Sequence, residues 1–341
     1  MKSSLLTLLS ASTLALALPV SAQSVWYDDF TGSLTGRTTD GLGVVNSFEW
    51  YSGGPVGVGS YSYTNGQLVS TSERAALGYF TEPGQSVSLV NAGDRLTLTV
   101  NYRYTVSGGN TGDRLRIGLF QSVANPDATS TTGFTAIGDP NTNARVGDIF
   151  NNNSDGTVSS NFVNLYTGFS ISRLTAKTSN GDVPAPNVSI FERVGGASAN
   201  SVLGPSAGTL GTTGFNLLGT GGNAFNIGAN WGTSVAGGVP LTLNFSILYQ
   251  GIDVGTGKNI IDLHYSLTDG VITNSFEVLG HLTDQPLSFD TIGLYARGAF
   301  PSYDNMTVTL QPIPEPGTLA LGLAGLGLLG IWTWRRRHDR I

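Results

Sequence analysis

The chain has 341 residues, with 17 Lys plus Arg against 23 Asp plus Glu, 47 glycines and no cysteine. Without cysteine there is no disulfide, no thiol nucleophile and no thiolate metal site, so a folded body must hold by burial alone. The acidic balance argues against nucleic acid or an anionic membrane surface as partner, and a charged share of only 12%, with abundant Gly, Ser, Thr and Asn, describes a turn-rich β protein.

Residues 1–22 read MKSSLLTLLSASTLALALPVSA. Lys2 gives a positive start, Leu5 to Leu18 an apolar stretch, and Val20-Ser21-Ala22 a small-residue cleavage site ending at Ala22. This is the pattern of a secretory signal peptide, which implies the secretion translocon and signal peptidase as partners. Without Lys2, the four arginines after residue 334 and Asp339, 12 basic and 22 acidic residues remain, a net charge near −10.

The elements expected next are short strands. Val25 to Phe30 and Ser47 to Tyr51 come first. Tyr61 to Ser70 reads as a hairpin turning at Asn65-Gly66, a pair suited to two residues with positive φ. Ala75 to Phe80 follows. Leu96 to Tyr104 alternates apolar with polar residues over nine positions, which puts one set of side chains in a core and the other in solvent. Arg114 to Phe120 succeeds it after a Gly-rich turn, so the two read as a pair. Residues 122–160 are rich in Asn, Thr, Asp and Gly, with strands expected only near 133–137 and 146–150. Apolar and aromatic residues return at 162–175, 188–194 reads as a strand, 195–238 reads as loop broken by 215–218 and 225–231, and 241–249 opens the most regular third of the chain. Ile260 to Leu267 and Val271 to Val278 read as a hairpin around Thr268-Asp269-Gly270, and 289–296 and 303–310 complete the set.

About fifteen strands without helical periodicity predict an all-β sandwich over residues 23–311, made of two antiparallel sheets. The opening Asp28-Asp29-Phe30, the Ile292-Gly293-Leu294-Tyr295 phrase and the closing Tyr303-Asp304-Asn305-Met306-Thr307-Val308 strand resemble the concanavalin A-like jelly roll of lectins and glucanases. That resemblance implies that the first and last strands lie together.

The end of the chain has three parts in order. Pro314-Glu315-Pro316 lies in a short linker, 312–317. Residues 318–334 form an apolar run, about 17 residues or roughly 25 Å as a helix, read as one transmembrane helix. Arg335, Arg336 and Arg337 open a basic cytoplasmic tail, 335–341, beside Trp332 and Trp334 at the expected membrane interface. This arrangement resembles the PEP-CTERM sorting signal of bacterial surface proteins. The resemblance implies recognition by an exosortase, a membrane transpeptidase acting near the tripeptide. It further implies an inner-membrane precursor that ends at the cell surface or in the extracellular matrix.

Within the body the chemistry is sparse. Jelly-roll glucanases carry their paired carboxylates as Glu-x-Asp-x-x-Glu on one strand, and no such phrase occurs here. No catalytic residue is assigned. Asn151, Asn153 and Asp155 stand at alternate positions with Gly156 sixth, as in a calcium loop, but Phe162 occupies the twelfth position where a bidentate Glu belongs. They are candidate Ca2+ ligands, with a polar turn as the alternative, and no other cofactor is expected. His264, His281 and His338 share no ligand spacing. Trp50, Tyr61 and Trp231 are candidate sugar-stacking faces, although large aromatics in sandwiches usually belong to the core. The reading that results is a non-enzymatic, exported surface or matrix protein, and the sorting resemblance implies association with exopolysaccharide. A lectin-like carbohydrate-binding module and a glycan-active hydrolase are the alternatives.

Overall fold

The computed structural model describes residues 23–30, 41–45, 48–52, 61–70, 74–82, 85–104, 114–122, 166–174, 188–194, 215–221, 238–271, 273–297 and 300–313. Among them are eighteen strands and no helix. In chain order these are β1 (Ser24–Asp28), β2 (Gly41–Val45), β3 (Phe48–Ser52), β4 (Tyr61–Tyr63), β5 (Leu68–Ser70), β6 (Arg74–Tyr79), β7 (Val87–Ser88), β8 (Arg95–Tyr104) and β9 (Arg114–Gln121). The second half contributes β10 (Thr167–Leu174), β11 (Val188–Arg193), β12 (Phe215–Gly221), β13 (Leu241–Ile252), β14 (Asn259–Thr268), β15 (Thr273–Thr283), β16 (Ser288–Phe289), β17 (Thr291–Arg297) and β18 (Pro301–Gln311).

Two sheets of eight strands result, plus the small pair β16-β7. The first runs β15-β14-β13-β8-β18-β5-β4, with β1 also on β18, and the second runs β12-β11-β10-β9-β17-β6-β3-β2. β1 and β18 are antiparallel neighbours from Ser24 opposite Leu310 to Asp28 opposite Met306, so the first and last strands do lie together.

Alternation decides what each strand buries. Along β8 every second residue is buried: Leu96, Leu98, Val100, Tyr102 and Tyr104. β13 and β14 add Leu243, Phe245, Ile247, Ile261, Leu263 and Leu267 to the same face. Leu115, Ile117, Leu119, Phe169, Ile171, Ile292 and Leu294 of the second sheet join them in one hydrophobic cluster. Each such side chain contributes about 1.5–3 kcal/mol when fully buried. The sandwich is the arrangement that lets both sheets hide one face at once.

The expected hairpin at Asn65-Gly66 is present between β4 and β5. Asn65 and Gly66 have φ of 53° and 71°, and Thr64 and Gln67 exchange backbone hydrogen bonds of 2.9 and 3.1 Å. Both central residues are left-handed, the twist a two-residue hairpin requires. The β14–β15 hairpin also forms, with Thr268 opposite Thr273. One expectation is corrected. β8 and β9 succeed one another in sequence but do not pair: β8 lies between β13 and β18, β9 between β10 and β17 in the other sheet. Alternation specifies which face a strand buries, not which strand it joins.

No helix of the described residues is long and apolar enough to cross a membrane. The segment 318–334 and the cleavage site at Ala22 lie outside those residues.

Candidate functional site

The residues that alternate with the core set give the first sheet its outer face. The strand registers align them in rows. One row is Asn305, Asn101, Thr242, Thr268 and Thr273; the next is Thr307, Thr99, Asn244, Ser266 and Ser275; a third is Thr309, Thr97, Ser246, His264 and Glu277. Side chains directly opposite on an antiparallel pair come within bonding reach. Asn101 Nδ2 donates to Asn305 Oδ1 at 2.6 Å, and Thr242 Oγ1 donates to Asn101 Oδ1 at 2.6 Å. Thr99 Oγ1 donates to Asn244 Oδ1 at 2.8 Å.

A cleft of about 440 Å³ opens on this face over β13, β14 and β15, lined by Asn244, Ser246, His264, Ser266, Ser275 and Glu277 with Tyr265 and Phe276. His264 Nδ1 lies 3.3 Å from Glu277 Oε2. Its Nε2 is shielded from solvent and bonded to nothing among the described residues. The cleft therefore offers hydroxyls, an amide, an imidazole and one carboxylate, a set that matches the alternating donors and acceptors of a hydroxyl-rich ligand.

A second polar cluster sits at the seam of the two sheets. Glu192 of β11 is buried. It accepts hydrogen bonds from Thr283 Oγ1 and, at 3.0 Å, from Asn216 Nδ2, while His281 Nε2 stands 3.5 Å away. Burial alone would raise its pKa; the contacts from His281, Thr283 and Asn216 outweigh that and hold the carboxyl below its ordinary value. This cluster joins an edge strand of the first sheet to two strands of the second.

A third feature lies where the described chain ends. The backbone N–H of Ile313 donates to Asp94 Oδ1 at 2.9 Å. Asp94 Oδ2 accepts from the N–H groups of Val90 at 2.9 Å and Asn91 at 2.8 Å.

The residues singled out from sequence fare unevenly. Trp50 and Tyr61 are corrected: they are 0% and 1% exposed, packed in the core, and offer no face to a sugar. Their neighbours are aromatic, Phe30 and Phe48 beside Trp50 and Tyr303 beside Tyr61, which is what a core wants. Trp231, Asn151, Asn153, Asp155, Pro314, Glu315, Pro316, Arg335, Arg336 and Arg337 lie outside the described residues. Among the described residues no group of three His, Asp or Glu side chains could hold a metal ion. Sequence reasoning missed both Glu–His pairs. The only signal for His264 and Glu277 was their symmetric placement about the turn at 268–272, which makes them cross-strand partners.

The PEP-CTERM protein-sorting motif matches residues 312–337. No curated protein matches the chain. Among solved structures the chain is similar to lectin I-B4 from Griffonia simplicifolia in its metal-free form, at 11% identity and TM-score 0.40, covering 85% of this chain and 99% of that one. It is similar to peanut lectin with a nine-residue peptide, at 10% identity and TM-score 0.39, covering 86% and 100%. It is similar to arcelin-5, a lectin-like defense protein from Phaseolus vulgaris, at 8% identity and TM-score 0.38, covering 85% and 99%.

Proposed function

We propose that this is a bacterial surface or extracellular-matrix protein, made as an inner-membrane precursor and processed by an exosortase through residues 312–337. The observation that carries the reading is the sorting motif at those residues, beginning directly after the last strand ends at Gln311. Residues 318–334 serve as the membrane helix and Arg335, Arg336 and Arg337 as its cytoplasmic stop. The signal peptide ending at Ala22 delivers the body by the secretion translocon and is removed by signal peptidase. Replacing Pro314-Glu315-Pro316 with alanines is expected to leave uncut precursor in the inner membrane. An unchanged mature mass on immunoblots of membrane and surface fractions overturns the reading.

The body is read as non-enzymatic and as associating with exopolysaccharide. Its outer polar face supports that reading, because the rows of Asn, Thr and Ser suit a neutral, hydroxyl-rich chain and carry little charge. The lectin-like alternative is favoured by one observation, the cleft beside His264 and Glu277. A double variant, Asn244→Ala with Ser266→Ala, is expected to weaken retention of the mature protein on exopolysaccharide by about tenfold in co-sedimentation. That loss corresponds to two neutral hydrogen bonds of about 0.5–1.5 kcal/mol each. Equal retention of variant and parent sinks the assignment of this face, and discrete saturable binding of one oligosaccharide favours the lectin-like reading over general association.

A further inference from the structure

We propose that the folded body holds the residue beside its own sorting tripeptide: Asp94 and Gly93 grip Ile313, and the processing enzyme engages Pro314-Glu315-Pro316 only after that grip opens. The proposal rests on the sorting reading above.

Four observations converge on the junction. Asp94 is buried, and its two oxygens have separate duties. Oδ2 closes the Asn91–Asp94 turn by accepting from Val90 and Asn91, so Oδ1 is left aimed at the chain's exit, where it takes the Ile313 N–H at 2.9 Å. Making the turn does not require the bond to Ile313. Second, Gly93 has φ of +99°, and a Cβ there would collide with Ile313 Cδ1, so the Ile side chain lies on bare glycine backbone. Third, the turn is fixed to the body. Gly93 N–H donates to the Tyr249 carbonyl at 2.6 Å, and Tyr249 N–H donates to the Asp94 carbonyl at 2.9 Å. Fourth, Pro312 and Pro314 have no N–H, so Ile313 supplies the single backbone donor between Gln311 and Glu315.

These facts bear on processing because enzymes that cut or transfer a peptide take it as an extended strand, held by its backbone groups and alternate side chains. Cutting near the tripeptide breaks one peptide bond. The acyl group passes to an acceptor amine or to water, and the tail leaves with its new amino terminus protonated. Residues on both sides of that bond must lie in the cleft. Here the residue just before Pro314 has its donor engaged by a carboxylate and its side chain set on Gly93. The body and the enzyme thus compete for the same residue.

The test is a pulse-chase of the full-length precursor in cells that carry the processing enzyme. Two variants are compared with the parent. Asp94→Asn removes the charge and leaves too few acceptors for both the turn and Ile313. A Gly-Ser-Gly-Ser insertion between Ile313 and Pro314 leaves the grip intact and frees the tripeptide from it. A charge-assisted hydrogen bond shifts an opening equilibrium by about tenfold or more, so both variants are expected to yield mature protein about tenfold faster. An unchanged or slower rate in either variant overturns the proposal. Acceleration by Asp94→Asn alone would mean a loosened body, and acceleration by the spacer alone would mean simple crowding. The alanine replacement of the tripeptide runs alongside: if that variant is cut normally, the sorting reading has failed, which is a different result from failure of the grip.

Discussion

Trp50→Ala is expected to cost about 3–5 kcal/mol of unfolding free energy, read as a fall in the urea midpoint of the mature protein at constant slope. The indole is completely buried, with Phe30 and Phe48 ring centroids at 5.9 and 6.1 Å. It fits because position 78, directly opposite on β6, is glycine: a Cβ there would stand 2.7 Å from the ring. Its Nε1 donates to Asp28 Oδ2 at 2.7 Å. Alanine would leave a cavity and also strip a buried carboxyl of its indole donor, and the two penalties come together. Trp50→Phe separates them, since phenylalanine refills most of the volume without restoring the donor. Its expected cost is about 1–3 kcal/mol, the penalty for an unsatisfied buried polar group. A Trp50→Ala midpoint within error of the parent would show that this end of the core is not packed as described.

Stability is expected to fall as pH rises from about 4 to about 7, because of Asp28. Burial pushes its carboxyl up to about 7, against partial relief from the Phe30 N–H and the Trp50 indole and with a further push from Asp29. The unfolded chain ionises near the ordinary carboxylate value, so between the two values the folded state holds one proton more. Binding more protons when folded means that stability declines with rising pH across that window and is flat above it. The full amplitude is on the order of 4 kcal/mol. Glu192 acts in the opposite sense: its lowered pKa gives stability that is present above the ordinary carboxylate value and lost as pH falls through the lower folded value. Maximum stability is therefore expected in mild acid. Asp28→Asn should flatten the decline between pH 4 and 7 in urea titrations, and a decline that survives the substitution would assign the effect elsewhere.

Strand existence was largely legible in the sequence because burial on one face of a sheet imposes a period of two. Leu96 to Tyr104 announced all of β8 but Arg95, and Asn65-Gly66 announced a turn whose geometry few other pairs satisfy. Partnership was legible at the two tight hairpins and not between strands joined by longer connections. The chain passes from β8 to β9 by changing sheets, and nothing in either strand's alternation records that step. The same limit hid Glu192 and His281, far apart in sequence and joined only by the seam between the sheets. Aromatic residues were ambiguous for a different reason. A tryptophan suits a core and a sugar equally well by chemistry, and only the glycine opposite Trp50 reveals which. The grip on Ile313 had a trace in the sequence, two prolines around one donor, but its acceptor lies more than two hundred residues away.

The pairing of β1 with β18 has a consequence for how the molecule is made. Ribosomes and translocons deliver a chain from its amino terminus, so β1 emerges first and β18 after every other strand. β18 fills the middle of its sheet, between β8 on one side and β1 and β5 on the other. Until it arrives, β8 presents an open edge and β1 has no neighbour in that sheet. Such edges pair readily with other copies. The eleven residues of β18 therefore close the fold in a single late step, and a chain truncated before Pro301 would leave β8 and β5 as open edges and β1 unpaired in that sheet, all exposed to aggregation.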